Sequence, residues 1–258
     1  MERVTAMLEV ERRRFGFKLK EIWFAEYPFN VGGCDSVAFH ACKQRVDADG
    51  FTRQEQTTLT IDLSQDLDAI LRNMSKRSRR GIRDAKRFGV EIVRNQEHEK
   101  FRELYLAFRR AMGLSLRDSW GGLDFVKRYG TLFVAELDGQ MLVGRVYVED
   151  LTHIRALISG SARLNLEKER QSVIAHANRL ITWEAILYAK NKGIKEFDLG
   201  GYYFGKEEQM ERVNFFKSGF GGKLTPLYEY RKDYSRLFRF ASKVYNFLLV
   251  KVRFDHRL

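Results

Sequence analysis

The chain has 258 residues, 44% of them hydrophobic, and its 46 Lys and Arg residues against 34 Asp and Glu residues give a net charge of +12. This length and apolar content predict a globular protein with a substantial core and exclude a disordered or fibrous chain. Cys34 and Cys42 are too few for a disulfide framework, and neither the cysteines nor the five histidines have the spacing of a metal site.

The N-terminal part of the chain reads as β-rich and shows no targeting segment. Residues 22–25, 36–41 and 57–61 are strand-like runs joined by turns that contain Gly, Asn and Asp. The first residues lack the apolar stretch of a secretory signal, and no apolar run approaches the length of a membrane span. We therefore expect a cytoplasmic protein whose first sixty-odd residues are β-rich.

The next predicted element is one long basic helix that Asp62 or Ser64 caps and that runs to about Phe88. Basic clusters imply a polyanionic partner, such as nucleic acid, an anionic membrane or a phosphate-bearing substrate. Asp84 is the only acidic residue of the basic run, so like charges should destabilise the helix and a polyanion should relieve this. A solvated face is the common alternative. The residues predicted to bind phosphate are Arg79, Arg80, Arg83 and Lys86.

The elements that follow alternate in a definite order. A strand (residues 90–93), a helix (97–112) and a short helix (123–129) precede a hairpin that turns at Asp138-Gly139 between apolar runs. The remaining predicted elements are a third strand (152–158), a long helix (173–192), a strand (194–199), a short helix and a last strand (224–231).

The stretch from Phe197 to Leu224, FDLGGYYFGKEEQMERVNFFKSGFGGKL, carries the strongest chemical signal. We expect its strand to stop at the pair Gly200-Gly201, where the missing Cβ atoms let a ligand approach the backbone. Lys217 follows an aromatic pair and precedes a glycine-rich turn. A lysine so placed can present its ammonium in a partly desolvated pocket and bind an anion or a developing oxyanion. In the alternative interpretation the glycines only cap a helix and Lys217 is solvated.

Three segments in the right order resemble the Fem family (FemABX type) of peptidoglycan interpeptide-bridge enzymes: the basic segment 75–90, the helix around 183–193, and FDLGG with NFFKSGFGGKL. These enzymes are aminoacyl-tRNA-dependent aminoacyltransferases with the GCN5-related N-acetyltransferase (GNAT) fold. The resemblance covers roughly residues 66–230. It implies an α+β fold whose mixed central sheet, flanked by helices, has two splayed parallel strands that hold the acyl donor.

The resemblance also implies a domain organisation. Residues 1–65 would form the reduced N-terminal portion, residues 66–232 the GNAT-like acyltransferase domain, and residues 233–258 a basic amphipathic C-terminal helix. Family members usually carry two complete GNAT-like domains, for which this chain has no room. The C-terminal helix could contact an anionic membrane at the inner face or pack against the sheet.

The activity implied by the resemblance is transfer of an aminoacyl group from aminoacyl-tRNA to a primary amine of a peptide or cell-wall precursor, without metal or cofactor. Family members use the lysine of the Phe-Lys pair near the scissile ester, which here is Lys217, and Phe216 would shape the pocket. We expect Lys217 to stabilise charge rather than act as a base, because a lysine loses its proton at pH 7 only when strongly desolvated. The other predicted substrate-binding residues are Gly200, Gly201, Tyr202 and Tyr203, the tyrosines as stacking platforms for a nucleobase.

Two other functions remain open at this point. A CoA-dependent N-acyltransferase would use acetyl-CoA or another acyl-CoA, but residues 159–172 lack the Arg/Gln-x-x-Gly-x-Gly/Ala turn that binds its pyrophosphate. A non-catalytic RNA- or membrane-binding module would need only the basic surface. His153 could transfer protons beside the cleft, although a hydrogen-bonded structural role is the commoner one for such a histidine.

Overall fold

The computed structural model describes residues 7–115, 122–162, 168–242 and 244. The chain divides into two compact units. One, the central unit, is Thr57–Thr225, and the other, the flanking unit, consists of the described residues on either side of it. The three-part division drawn from the sequence stays a prediction.

The flanking unit is β-rich, as the sequence predicts. Its strands lie in the order β1-β2-β3-β10, with β2 and β3 parallel and the other two pairs antiparallel. The strands are β1 (Leu8–Arg14), β2 (Phe17–Trp23), β3 (Ser36–Cys42) and β10 (Lys223–Asp233). The sequence analysis missed β1, because only Val10 of this charged segment is buried and the run therefore lacks the apolar character of a strand.

A small apolar core holds the flanking unit together. It contains Ile22, Phe39 and Tyr230, and the Cys42 side chain is buried in it. Burial raises the pKa of the Cys42 thiol to about 12, with the charge of Glu229 adding to the effect. Both cysteines are free thiols, so Cys42 acts as a small buried residue of low reactivity.

Beyond the basic region, the central unit contains the order of helices and strands that the sequence predicts. Its strands lie in the order β4-β9-β8-β7-β6-β5, and β8 and β9 are parallel. The elements are β4 (Thr52–Asp62), α1 (Leu67–Asn73), α2 (Lys76–Arg87), β5 (Glu91–Arg94), α3 (His98–Ala111), α4 (Gly122–Tyr129), β6 (Gly130–Leu137), β7 (Gln140–Glu149), β8 (His153–Ser161), α5 (Lys168–Asn191), β9 (Glu196–Tyr202) and α6 (Glu208–Ser218).

Helices cover both faces of the central sheet. On one face, α5 packs against β6, where the rings of Tyr188 and Phe133 lie 5.6 Å apart. On the other face, α3 packs so closely that a Cβ at Gly144 of β7 would collide with Phe101. Successive residues of a strand point to opposite faces, so the residue after Gly144 faces α5. The result is a three-layer arrangement with a mixed sheet in the middle.

The single long basic helix predicted from the sequence is wrong, because two helices occupy its place. Met74 and Ser75 between α1 and α2 have extended backbone, with ψ values of 144° and 149°. The Ser75 hydroxyl caps α2 by accepting a hydrogen bond from the Ser78 amide, and the Ser75 amide donates to the Gly219 carbonyl. The helix cap and the tertiary hydrogen bond of Ser75 therefore stabilise two helices over the single helix that the spacing of apolar residues predicts. The cap of α1 is Asp66 rather than Asp62 or Ser64.

The predicted C-terminal helix lies partly within the described residues. Residues 236–242 are helical, and Phe238 packs edge-on against Phe17 with ring centroids 5.1 Å apart, whereas Leu237 and Phe240 are exposed. The remainder of that prediction lies outside the described residues. Among the described helices, none combines the length and the apolar character needed to cross a bilayer. The predicted location and membrane contact stay predictions.

Candidate active site

The central feature is a V-shaped gap between the parallel strands β8 and β9. The two strands pair at only three positions, from His153↔Glu196 to Arg155↔Asp198. Beyond these positions β8 stays paired with β7 as far as Ser161, and β9 stays paired with β4 as far as Tyr202. The strands therefore separate and expose backbone between them, which is the splay that the resemblance implies.

A buried ion pair lies at the closed end of this gap. Arg155 Nη1 donates to Asp198 Oδ2 over 2.6 Å, and both side chains are buried. Asp198 Oδ1 also accepts hydrogen bonds from the Gly200 amide, at 2.7 Å, and from the Thr58 hydroxyl. Because the carboxylate takes the Gly200 amide, that group is not available to continue the ladder with β8. Asp198 thus marks where the two strands part.

Gly200 adopts a backbone conformation that glycine tolerates best. Its φ is +84°, and a Cβ there would lie 3.2 Å from the Ala156 carbonyl oxygen. The sequence analysis predicted that this strand stops at the glycine pair. Instead, the strand bends away from β8 and continues to Tyr202 along β4. A Cβ at Gly201 would have no heavy atom within 4 Å, so the backbone there is open to a ligand.

Lys217 reaches this gap from the last turn of α6. Its ammonium donates to the Gly201 carbonyl oxygen over 2.5 Å and lies 3.6 Å from the position that a Gly200 Cβ would take. The side chain is half-buried. Burial, and then the positive charges of Arg145 and Arg155, lower the pKa of Lys217 to about 8, against the opposing effect of Asp198. Lys217 therefore still carries its proton at pH 7, but it holds that proton less firmly than a lysine in water does.

Phe216 fixes the end of α6 above the sheet. Its ring lies 5.4 Å from the guanidinium carbon of Arg145 and 5.7 Å from that of Arg179, and it contacts the Phe220 ring at 5.3 Å. A guanidinium over an aromatic face is attracted by the ring quadrupole. Lys217, one residue further along the helix, is directed to a different side and so reaches Gly201.

Three charged residues of this site escaped the sequence analysis. Arg145 and Arg155 lie within the apolar strands β7 and β8 and are buried, and Asp198 lies within FDLGG. The signal that could have found them is a charge in the middle of a strand that is otherwise apolar, because such residues are rarely fully buried unless they are paired or functional. The predicted glycines and Lys217 come together at the gap, whereas the residues of α2 lie apart from it.

The four candidate residues of α2 differ in their surroundings. Arg79 Nη1 donates to the carbonyl oxygens of Leu71 and Met74, at 2.9 and 2.8 Å, and so caps the end of α1. Arg80 forms an exposed ion pair with Asp84 (3.4 Å), and Lys86 forms one with Glu184 of α5 (3.0 Å). Arg83 is exposed. Arg79 is therefore committed to the fold, and the other three present charge to solvent.

The first turn of α2 lies beside the end of α6. The contact from the Ser75 amide to the Gly219 carbonyl oxygen joins them, at 3.0 Å. Arg77 lies over the ring of Phe215, 5.5 Å from its centroid, and Phe215 is 63% exposed. The first turn of α2 contains no acidic residue, although the helix dipole favours negative charge there. A positively charged surface with an exposed aromatic ring thus adjoins the helix that carries Lys217.

The predicted stacking residues lie just beyond the gap. Tyr202 is half-buried against the core, whereas Tyr203 and the neighbouring Phe204 are exposed. Asn214 fixes the Tyr203 backbone, because its amide group accepts from the Tyr203 N–H (3.2 Å) and donates to the Tyr203 carbonyl oxygen (2.5 Å). The exposed aromatic rings suited to stacking are therefore Tyr203 and Phe204, and Phe204 was not predicted.

His153 has a structural setting. It begins β8 at the closed end of the gap, and its ring Nδ1 lies 3.3 Å from both carboxylate oxygens of Asp150. No group of three or more His, Cys, Asp or Glu residues suited to a metal ion occurs in the part of the chain that the structure describes. Residues 163–167, which the CoA interpretation requires, lie outside that part.

Comparison with known proteins gives similarity in structure but not in sequence. No protein-family model matches the chain, and no curated protein matches it. A crystal structure of FemX is similar with a TM-score of 0.62 and 14% identity, over 93% of this chain and 88% of FemX.

Two further solved structures are similar. The C-terminal domain of a protein named as a lysylphosphatidylglycerol synthetase from Agrobacterium fabrum has a TM-score of 0.54 and 14% identity, over 88% of this chain and 80% of that one. A protein of unknown function from Bacteroides thetaiotaomicron has a TM-score of 0.53 and 10% identity, over 87% of this chain and 82% of that one. The predicted fold class is confirmed: the chain has a mixed central sheet with splayed strands flanked by helices, and its fold is similar to that of FemX.

Proposed function

We propose that the protein is an aminoacyltransferase that moves an aminoacyl group from aminoacyl-tRNA to a primary amine of a peptide or cell-wall precursor. One observation carries this proposal: the ammonium of Lys217 lies in the gap between the splayed strands, bound to the Gly201 carbonyl. The acyltransferase fold supports the reaction class, and the donor and acceptor come from the motif resemblance.

The reaction is the aminolysis of an ester. The nitrogen of the acceptor amine attacks the ester carbonyl carbon, a C–N bond forms, and the C–O bond to the terminal ribose of tRNA breaks. The attacking amine loses a proton, and the departing ribose oxygen gains one. Protonated Lys217 is placed to stabilise the negative oxygen of the tetrahedral intermediate, and its partly buried position strengthens that interaction over what water would allow. Gly200 and Gly201 let the acyl group approach the backbone.

The charged surface next to α6 supports tRNA as the donor. Arg77, Arg80 and Arg83 of α2 present charge to solvent. Phe215, over which Arg77 lies, offers an exposed ring, and so do Tyr203 and Phe204 between β9 and α6. Cations that follow a phosphate backbone and rings on which bases stack are the two components of single-stranded nucleic-acid binding. The second candidate, a CoA-dependent N-acyltransferase, is supported by the splayed parallel strands alone.

A transfer assay separates the two donors. The purified protein is supplied with an amine acceptor and with either aminoacyl-tRNA or acetyl-CoA, each labelled in the acyl group. We expect label to move from tRNA and not from acetyl-CoA. Lys217→Met should reduce the rate about 100- to 1000-fold, which is the usual effect of removing a group that stabilises an oxyanion. Lys195→Met, an exposed lysine at the other end of β9, is the matched control and should keep the wild-type rate.

Movement of label from acetyl-CoA instead would replace the first candidate by the second. Full transfer by Lys217→Met with either donor would show that the reaction takes place elsewhere.

A further inference from the structure

Arg145 is buried without a negative charge to neutralise it. It lies in β7 with 9% of its surface exposed. Among the side chains that the structure describes, no carboxylate lies within ion-pair distance of it. Its hydrogen-bond acceptors are neutral: Thr182 Oγ1 at 2.5 Å and Asn178 Oδ1 at 3.3 Å. Burial of a charge is costly unless an opposite charge and hydrogen bonds compensate for it.

Helix α5 is built to hold this guanidinium in place. The Thr182 hydroxyl donates to the Asn178 carbonyl oxygen at 2.9 Å, which turns its lone pairs toward Arg145. The Asn178 amide nitrogen donates to the Ile174 carbonyl oxygen at 3.1 Å, which leaves its side-chain oxygen for Arg145. The position of Arg145 is therefore defined by two oriented acceptors and by the ring of Phe216.

The neighbouring buried arginine shows the contrast. Arg155 on β8 is neutralised by Asp198, so the closed end of the gap carries a balanced pair. The charge of Arg145 disfavours the charged form of Lys217, so these two cations repel each other. The open part of the gap thus has an excess of positive charge, and an anionic ligand would remove this repulsion.

Ser159 marks the side from which a ligand would approach Arg145. Ser159 of β8 is its cross-strand partner, so both side chains stand on the same face of the sheet. Ser159 is exposed, although Arg145 itself is buried. A ligand that enters over Ser159 can therefore reach the guanidinium, and the Ser159 hydroxyl can donate a further hydrogen bond.

We propose that Arg145 and Lys217 form a subsite for an oxyanion, a phosphate or carboxylate group of a bound substrate, in the gap between β8 and β9. Its biological ligand rests on the proposed acyl transfer, but anion binding itself does not. A guanidinium and an ammonium at a partly buried gap suit such a group, because charge-assisted hydrogen bonds are about twice as strong as neutral ones.

The test measures the pKa of Lys217 by NMR in the full chain, whose lysines carry ¹³C at Cε. The signal that is lost in Lys217→Met is assigned to Lys217. The probes are inorganic phosphate and acetate, and chloride at equal ionic strength is the reference. We expect phosphate or acetate to raise the pKa of Lys217 with saturation, and chloride to leave it unchanged. A response to phosphate alone indicates a phosphate of the donor, and one to acetate alone indicates a carboxylate.

Arg145→Met should raise the pKa of Lys217 in the absence of any probe. It should also raise the probe concentration at half-saturation about tenfold, which is the effect of losing one charge-assisted hydrogen bond. Arg145→Lys keeps the charge and should keep a saturable response. Arg94→Met removes an exposed arginine that lies over Tyr188, 4.5 Å from its ring centroid, and should behave as the wild type.

The proposal is overturned if neither phosphate nor acetate moves the pKa of Lys217, or if Arg145→Met responds like the wild type. A saturable response in a protein that transfers no acyl group from tRNA or acetyl-CoA would refute the proposed function and leave the subsite standing. Acyl transfer by a protein whose Lys217 pKa responds to neither anion would refute the subsite and leave the proposed function standing.

Discussion

The cations of α2 and the cations of the gap differ in what surrounds them. On α2, the exposed guanidinium groups of Arg80 and Arg87 share the half-buried Asp84 carboxylate, and water screens the charges of both arginines. In the gap, Arg145 is removed from water and meets only neutral acceptors, and Arg155 is buried against Asp198. A charge on the surface costs little and contributes little, whereas a charge in the gap is costly when unpaired and strong when a ligand pairs with it.

In this basic protein, the buried cations and not the exposed basic run indicate the candidate active site. The run on α2 is obvious in the sequence, yet one of its arginines only caps a helix. Arg145, Arg155 and Lys217 are scattered along the chain and come together because β7, β8 and α6 meet around one gap. The predictions that follow test this contrast.

The largest expected effect comes from breaking the buried pair. Asp198→Asn leaves Arg155 buried without its carboxylate, and it should lower the free energy of unfolding by about 3–5 kcal/mol. Asp84→Asn, which removes the carboxylate shared by two exposed arginines, should cost less than about 1 kcal/mol. Chemical denaturation of both variants at pH 7 measures the two values. Equal losses would contradict the distinction between the buried and the exposed cations.

The next effect concerns Lys217 and pH. Its pKa of about 8 in the folded state lies below the ordinary value of 10.5, so the folded protein binds fewer protons than the unfolded chain between these pH values. The wild-type protein should therefore gain stability as the pH rises from 8 to 10.5. Lys217→Met removes the penalty, so it should be more stable than the wild type at pH 7 by about 1–2 kcal/mol, because the side chain is partly buried and one pH unit is worth about 1.4 kcal/mol.

This advantage should shrink as the pH rises above 8 and disappear only above about pH 10.5, where the unfolded chain also loses the proton of this lysine. Thermal or chemical unfolding from pH 7 to above pH 10.5 measures it, with the exposed Lys195→Met variant as the control. A Lys217→Met variant that is less stable than the wild type at pH 7 would show that the lysine stabilises the fold.

The smallest effects separate two arginines of the same helix. Arg79→Met uncaps the carbonyl groups at the end of α1 and should cost about 1 kcal/mol of stability, whereas Arg83→Met should stay within about 0.5 kcal/mol. If tRNA binds α2, Arg83→Met should lower the slope of log affinity against log salt by about one, and Arg79→Met should leave it unchanged. Filter binding over a salt series gives both slopes. A reversed pattern would mean that Arg79 leaves its helix cap to bind RNA.

Local patterns were sufficient to predict most of the fold. The Asp138-Gly139 turn does join β6 and β7, and the buried residues Ile174, Ala177 and Leu180 do follow the helical spacing of α5. The break between α1 and α2 could not be predicted, because Ser75 gains its advantage from a partner, Gly219, that is distant in the chain. The spacing of residues in one segment carries no information on such a partner.

The candidate site was predictable only in part. Lys217 and the glycine pair stand together in one motif, which the sequence displays directly. Arg145 and Asp198 depend on burial and on which strand lies next to which, and the sequence states neither. The strands β8 and β9 part where the Asp198 carboxylate accepts the hydrogen bond of the Gly200 amide, and no local sequence pattern indicates this contact.

The break at Ser75 has one more consequence. The hydrogen bond from Ser75 to Gly219 ties the first turn of α2 to the backbone two residues after Lys217, so that a displacement of either helix end strains the other. By thermodynamic linkage, whatever effect a polyanion bound to α2 has on proton binding at Lys217 equals the effect of that proton on polyanion binding. We therefore expect a polyanion bound to α2 to change the pKa of Lys217 in the gap.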